Sequence, residues 1–135
     1  MANEAVIIEL LGDMGDPISY TVADGTGIAK GALLIITDPR TAVAHTGADQ
    51  PIAGIAAAEK VASDGQTRLA VYTNGIFDIT AAAAGVTTVG AFCAGSATAN
   101  MITAADASDL LQNSHVGYCL ESHANDEVAA VRVHK

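Results

Sequence analysis

The most constraining feature of the sequence is a pattern that occurs twice. In the first copy, Ile52-Ala-Gly-Ile is followed by a turn at Asp64-Gly65 and by the alternating segment Leu69-Ala-Val. In the second copy, Val116-Gly-Tyr is followed by an Asn-Asp turn and by Ala130-Val-Arg-Val. Each copy predicts a glycine-bearing strand, a polar turn and a second strand. Two such copies would pair into a small barrel or sandwich, in which Gly54 and Gly117 let the strands bend where the sheet closes.

The rest of the chain also favours strands joined by tight turns. Apolar residues 32–37 and 41–45 flank Asp38-Pro39-Arg40, a turn with proline at a favourable position, and so predict a hairpin. A second hairpin is predicted at Asn74-Gly75, because this dipeptide is a strong signal for a two-residue turn. Residues 87–93 form a looser alternating segment that predicts a further strand, and residues 116–121 and 128–133 predict a closing hairpin.

The predicted fold class is mainly β, a small β-barrel or β-sandwich with an extended N-terminal arm and at most one short helix. Residues 1–30 are rich in glycine and aspartate, which predicts an arm or long loop, and residues 31–135 would form a single β-rich domain. A helix within residues 103–112, with Thr103 as its N-cap and Asp106 at the third position, competes with an irregular loop.

Composition and charge exclude several classes of function. Half of the residues are hydrophobic but only 4% are aromatic, which favours a thin core or a tight interface over a deep ligand pocket. The formal net charge of -9 repels phosphate backbones, so we expect no direct nucleic-acid binding. No apolar run is long enough to span a bilayer, and Glu4 and Glu9 stand where a signal peptide has basic residues, so we expect no membrane partner.

The sequence contains no recognisable catalytic or metal-binding motif. Its four histidines stand singly, and the aspartates near residues 13–24 lack the spacing of an EF-hand loop, so we expect no metal, no cofactor and no enzymatic activity. Cys93 and Cys119 are 26 residues apart and are predicted to be small buried apolar residues rather than a bridge. Without catalytic chemistry, the work of the chain is expected to be surface contact.

Three segments resemble a family of short tailed-virus capsid decoration, or cement, proteins. They are PIAGIAAAE, VYTNGIFDI and HVGYCLESHANDEVAAVRVHK, and the similarity extends over residues 20–135. The Ala-rich stretch 81–107 and the acidic arm depart from the family pattern. The resemblance implies a barrel-like domain that binds the outside of a viral head, with the major capsid protein as partner, and stiffens the shell as a homotrimer.

The resemblance also suggests where contact with the capsid or with another subunit occurs. The predicted contact residues lie in the arm and in edge strands near residues 37–43, and they are Ile18, Tyr20, Val22, Thr37 and Val43. The expected location is the exterior of the virion, after assembly in the host cytoplasm.

Other functional classes stay open on the sequence alone. One is a small β-barrel module that binds a saccharide or a peptide, although three tyrosines and two phenylalanines offer few stacking platforms. A second is a subunit of a cellular surface layer or shell, and a third is an enzyme whose site leaves no motif. A trimer without a pocket favours the structural interpretation, whereas a monomer with a deep groove favours binding or catalysis.

Overall fold

The computed structural model describes residues 3–9, 16–82 and 88–135, and these residues fold into short β-strands and one helix. In chain order the elements are β1 (Val6–Glu9), β2 (Ile18–Thr21), β3 (Leu33–Thr37), β4 (Thr41–Ala44), β5 (Ile52–Ala56), β6 (Arg68–Tyr72), β7 (Asn74–Ala81), β8 (Phe92–Gly95), β9 (Met101–Ala104), α1 (Ala107–Gln112), β10 (His115–Cys119) and β11 (Val128–His134). The predicted mainly-β fold with small barrels and one short helix is confirmed.

The strands form two rings, which we call barrel 1 and barrel 2. Barrel 1 is closed in the order β2-β4-β3-β5-β6. Barrel 2 has the order β7-β11-β10-β8-β9, and a parallel pairing of β9 with β7 returns the ring to its start. Strand β1 extends this second sheet at β7, antiparallel, with Val6 opposite Asp78.

The two barrels have the same topology. Each consists of five consecutive strands in which the first pairs in parallel with the third and antiparallel with the fifth. The repeated pattern therefore marks equivalent strands, β5 and β6 in barrel 1 and β10 and β11 in barrel 2. The prediction that the two copies pair with each other was wrong, because each copy joins the three strands that precede it and closes a ring of its own.

Gly54 and Gly117 occupy equivalent places where the ring is tight. A Cβ added to Gly54 would lie 2.2 Å from the Tyr72 carbonyl oxygen in β6, and one added to Gly117 would lie 1.9 Å from the Arg132 carbonyl oxygen in β11. Gly54 also has a φ of +148°, which other residues rarely adopt. The glycines allow the backbones of neighbouring strands to approach each other, which a side chain at either position would prevent.

Two local predictions differ from the structure. Asn74-Gly75 is not a hairpin turn: both residues begin β7, with Asn74 opposite His134, because the chain passes here from barrel 1 to barrel 2 instead of turning back. The helix starts later than predicted, at Ala107, because Thr103 is paired in β9. Its N-cap is Asp106, whose carboxylate accepts from the Ser108 and Asp109 amides, so the capping box exists three residues further along. The predicted hairpins β3–β4 and β10–β11 are confirmed.

Two apolar clusters form the core. One fills barrel 1 and contains Val22, Leu34, Leu69, Val71 and several alanines. The other contains barrel 2 residues such as Phe77, Ile79 and Val131 together with Leu33, Ile35, Ile52 and Ile55 of barrel 1. Because β3 and β5 supply side chains to both clusters, the two barrels share buried apolar surface.

The N-terminal segment predicted as an arm contributes strands to both barrels in its described part. Strand β1 pairs with β7, and the Ala5 amide donates to the Gly31 carbonyl at 2.7 Å, so this end of the chain contacts both units. Strand β2 is a member of the barrel 1 ring. The separation of residues 1–30 from a single domain at 31–135 stays a prediction.

Candidate contact surfaces

The residues predicted to make contacts differ in how far they reach the surface. Thr37 is exposed, Ile18 is 40% exposed and Tyr20 is partly buried at the edge of the barrel 1 core. Val22 is 2% exposed and belongs to that core, so its side chain offers no contact area. Val43 is partly buried against the cluster that the barrels share. Ile18, Tyr20 and Thr37 thus remain available, around β2 and the β3–β4 hairpin.

Two arginines stand on either side of β2. Arg68 in β6 lies opposite Thr21, and its Nε and Nη1 donate to the hydroxyls of Ser19 at 3.0 Å and Thr21 at 3.4 Å. Arg40 precedes Thr41, which is the parallel partner of Thr21, and its Cζ lies 5.9 Å from the centroid of the Tyr20 ring. We call Ile18, Tyr20, Arg40 and Arg68 the β2 patch. It combines apolar, aromatic and cationic groups on a strongly acidic chain.

A second surface, the apolar outer face, covers the outside of barrel 2. Six of the eleven large apolar side chains exposed among the described residues lie on its strands, on β1 or directly after β10: Val6, Ile8, Phe92, Tyr118, Leu120 and Val128. Phe92 and Tyr118 are opposite each other on β8 and β10, with their rings edge to face and 6.4 Å apart. An apolar area of this kind on a small acidic protein indicates a surface that becomes covered.

A buried lysine holds one end of barrel 1 together. The Lys60 side chain is fully buried, and its Nζ donates to the carbonyls of Asp24 at 2.9 Å and Val61 at 3.0 Å and to Asp64 Oδ1 at 2.9 Å. A cleft of about 470 Å³ lies beside it, lined by residues 27–29 and 59–62 and by no aromatic side chain. Because its three donors are occupied, Lys60 is a structural clamp and not a binding group.

A histidine and two thiols are further buried polar groups in the described part of the chain. His45 lies between the barrels, where its Nδ1 accepts from the Asn100 amide at 3.3 Å, and burial lowers its pKa. Cys93 and Cys119 are buried free thiols, as predicted. The pKa of Cys93 is raised well above its ordinary value by its hydrogen bond with Cys119 and by burial, which disfavours the reactive thiolate.

Neither a metal site nor a membrane-spanning helix is found in the described part of the chain. The His, Cys, Asp and Glu side chains of residues 3–9, 16–82 and 88–135 do not gather in groups of three or more that could hold a metal ion. Among those residues, no helix has the length and apolar character to cross a bilayer.

The two arginines of the β2 patch and the apolar outer face were not predicted from the sequence. The signal for the outer face was present in the alternation of its strands, because Phe92 and Tyr118 each precede a cysteine that points inward. Arg68 likewise precedes the buried Leu69. What alternation alone does not give is which outward-facing residues of different strands lie side by side, since that depends on the register of the rings.

Comparison with known proteins identifies the family of the chain. A family model described as phage cement protein matches residues 13–134. No curated protein sequence matches the chain. Among solved structures, the N base of the head fiber gp8.5 of bacteriophage phi29 has a similar fold, with a TM-score of 0.56 at 13% identity over 87% of this chain and 93% of that one. From the family match across most of its length, the chain belongs to the phage cement proteins and is associated with the phage head.

Proposed function

We propose that the protein decorates the outside of an assembled phage head as a trimer, binds the major capsid protein and stabilises the shell without catalysing a reaction. The observation that carries this proposal is the family match over residues 13–134. The buried thiols and the occupied donors of Lys60 agree with a role that depends on contact area rather than on chemistry. Assembly on the head would take place in the host cytoplasm.

The two surfaces suit two different partners. The β2 patch, together with Thr37, offers mixed polar and apolar contacts and is proposed to face the shell. The apolar outer face is proposed to contact neighbouring copies of the chain. Two molecules that each carry a net charge of -9 repel each other, so an association between copies needs an area rich in apolar side chains.

Because a trimer carries three copies of the shell-binding patch, the affinity of each single contact can be modest. A specific interface buries on the order of 1,000 Å² or more, and a trimer presents three equivalent shell-binding patches at once. When one patch dissociates from the shell, the other two hold the released patch close to its binding site, so it rebinds and the complex stays bound. Stabilisation of the shell then follows by mass action, because a ligand that binds the assembled state and not the separated subunits shifts the equilibrium toward assembly.

The saccharide- or peptide-binding alternative has weaker support. Recognition of sugars commonly uses aromatic rings, and the cleft beside Lys60 is lined by small residues, Ile28, Val61 and Glu59 instead. Phe92 and Tyr118 form the most exposed aromatic pair, but they lie edge to face on an open outer face rather than in a groove.

The decisive experiment measures oligomeric state and shell binding together. We expect size-exclusion chromatography with light scattering to give a trimer, which co-migrates with undecorated heads and raises the temperature at which those heads rupture. The variant Phe92→Ser/Tyr118→Ser should reduce the trimer to monomer while keeping the fold, because both side chains are exposed. Leu111→Ser, on the 90% exposed Leu111 of α1, is the matched control and should remain trimeric. Failure of the wild-type protein to bind undecorated heads would contradict the proposal.

A further inference from the structure

We infer that Arg40 and Arg68 recognise carboxylates on the outer surface of the shell protein. This inference rests on the proposed function and adds the chemistry of the partner to it. Three observations carry it: the position of the two arginines on either side of β2, the way their side chains are held, and the lack of an acidic partner for either of them within the described part of the chain.

The backbone places both arginines next to Thr21. Strand β2 pairs with β6 on one side, where Arg68 is directly opposite Thr21. On its other side it pairs in parallel with β4, and the Thr21 amide donates to the Arg40 carbonyl at 3.1 Å. The backbones of Arg40 and Arg68 thereby lie within one residue of the same point of the ring. The Arg68 side chain lies on the face of β2 that carries Ser19 and Thr21, and the Arg40 side chain lies against Tyr20 on the other face. Their separation along the chain, 28 residues, hid this juxtaposition in the sequence.

Neighbouring side chains hold each guanidinium without neutralising it. The hydroxyls of Ser19 and Thr21 accept from Arg68, and the Tyr20 ring lies beneath Arg40. Both arrangements restrict an otherwise flexible side chain but leave its charge uncompensated. A guanidinium held in this way loses less conformational entropy when it binds, which favours a partner with matching planar acceptors.

The other well-placed cations of the chain are already satisfied. Lys60 pairs with Asp24 and Asp64, Lys135 Nζ donates to the Asn113 side chain at 2.7 Å and to the His115 carbonyl, and Arg132 donates to Asn74 and to a carbonyl. Arg40 and Arg68 differ from these three cations in being exposed, and no carboxylate of the described residues comes within ion-pair distance of either, although the chain has fifteen acidic residues. Even Asp38, two residues before Arg40, makes no ion pair with it.

Charge and surroundings favour carboxylates on a protein over phosphates of a polymer. A net charge of -9 repels an extended polyanion, whereas a few carboxylates on a folded surface experience mainly the two nearest cations. Ile18 and Tyr20 beside the arginines supply apolar area that a protein surface can cover. The patch therefore fits a carboxylate-bearing region of the shell protein.

Charge reversal tests the inference against a matched control. Arg68→Glu and Arg40→Glu each change the net charge by -2, and so does Lys30→Glu, at an exposed lysine in the turn before β3. We expect each arginine variant to bind undecorated heads at least ten-fold more weakly than wild type, and Lys30→Glu to stay within two-fold. The wild-type affinity should fall with added salt more steeply than that of Arg68→Glu. Unchanged melting temperatures would establish that all three variants fold.

The outcomes separate this inference from the proposed function. If wild type binds heads and Arg68→Glu and Arg40→Glu bind as well as Lys30→Glu, the arginine assignment is overturned while the decoration role stands. If wild type does not bind heads, the proposed function itself fails. The ligand class is tested with small soluble competitors: a short peptide that carries two or three glutamates should displace wild type from heads, and a short inorganic polyphosphate of equal charge should do so less effectively. Equal or stronger competition by polyphosphate would overturn the choice of carboxylate.

Discussion

Barrels 1 and 2 share one topology but fill it differently. The barrel 1 core relies on small residues, since Ala32, Ala42, Ala53 and Ala56 are four of its nine buried members, and it adds the buried ammonium of Lys60 at one end. The barrel 2 core contains larger side chains, including Phe77, Ile79 and Ile102. The same ring of five strands can therefore close around different volumes, and what the barrels keep in common is the close approach of strands at Gly54 and Gly117.

The outer surfaces differ as much as the cores. Barrel 1 exposes Ile18 and two arginines around β2, whereas barrel 2 exposes the aromatic pair Phe92 and Tyr118 and further apolar side chains. Outward-facing residues of a strand do not determine the closure of the ring, so they can change between copies of one topology without loss of the fold. The repetition of one small barrel topology thus gives a chain of 135 residues two surfaces of different character.

The largest expected effect comes from the two equivalent glycines. Gly54→Ala and Gly117→Ala place a methyl group 2.2 Å and 1.9 Å from a backbone carbonyl oxygen, which cannot move without opening the ring. We expect each substitution to cost at least about 3 kcal/mol of unfolding free energy, measured by denaturant titration. Because the shared cluster joins the barrels, both variants should unfold in one transition at lower denaturant.

Gly47→Ala serves as the control for this pair. A Cβ at that position meets no atom within 4 Å, and we expect no loss of stability. If Gly117→Ala instead unfolds in two transitions, one of them at the wild-type denaturant concentration, barrel 1 folds independently of barrel 2. That outcome would contradict the expectation that the two barrels form one cooperative unit.

The second largest effect is expected from Lys60, the buried lysine at one end of barrel 1. Lys60→Met removes the ammonium that binds the carbonyls of Asp24 and Val61 and pairs with Asp64, and the remaining polar atoms lose their donor. We expect a loss of about 2 kcal/mol, because two carbonyls at this end of the barrel lose their donor, whereas the carboxylates of Asp24 and Asp64 are partly exposed and regain water. Lys30→Met, at an exposed site, should change stability by less than about 0.5 kcal/mol. If the two variants are equally stable, Lys60 does not hold this end of barrel 1 together.

Barrel 2 has a buried polar residue at the place that corresponds to Lys60. His123 follows Gly117 by six residues, as Lys60 follows Gly54, and it is 5% exposed. The two sequences after the glycines share few side chains, yet they position a buried polar group at the same point of the ring. The equivalence of the two copies therefore extends from the strands into the connection that follows them.

Local patterns predicted strands at the positions of β3 to β7, β10 and β11, but they missed β9 and did not show which strands pair. The hairpin β3–β4 was predictable because its turn is short, and the hairpin β10–β11 was predictable because a polar connection joins two apolar strand segments. The parallel pairings of β2 with β4 and of β7 with β9 were not, since they join segments separated by other strands and depend on closure of a ring. The Asn74-Gly75 dipeptide misled for the same reason: its turn preference was overridden by ladder pairing with β11.

The candidate contact site was predictable only in its region. The segment around residues 18–20 and the hairpin at residue 37 do form an accessible part of barrel 1, but Val22 points into the core, as β-strand alternation from Tyr20 onward places it on the inward side. Arg68 could not be assigned to this patch from the sequence, because 47 residues separate it from Thr21. Long-range register decides which charges stand together, and no short motif encodes it.

The smallest expected effect concerns the seam between the barrels and its dependence on pH. His45 is fully buried there, its Nδ1 accepts from the Asn100 amide, and its Nε2 has no hydrogen-bond partner among the described residues. The side-chain Oδ1 of Asn100, whose backbone amide bonds His45, accepts from the Leu33 backbone amide at 2.8 Å. Asn100 therefore links barrel 2 to barrel 1. Burial lowers the pKa of His45, which means that the folded state favours the neutral imidazole.

The sign of the pH effect follows from that shift. Above the ordinary histidine pKa of about 6.5 the imidazole is neutral in both states and its contribution is complete. As the pH falls below that value, the unfolded chain binds a proton that the folded chain excludes, and stability declines until the pH reaches the lowered folded pKa. We expect the midpoint of denaturant unfolding to fall between pH 7 and pH 5, and to fall less in His45→Gln. His115, whose pKa is also lowered by burial and by Lys135, contributes in the same direction, so His115→Gln is the comparison variant. If His45→Gln keeps the full pH dependence and His115→Gln removes it, the loss of stability does not arise at the seam between the barrels.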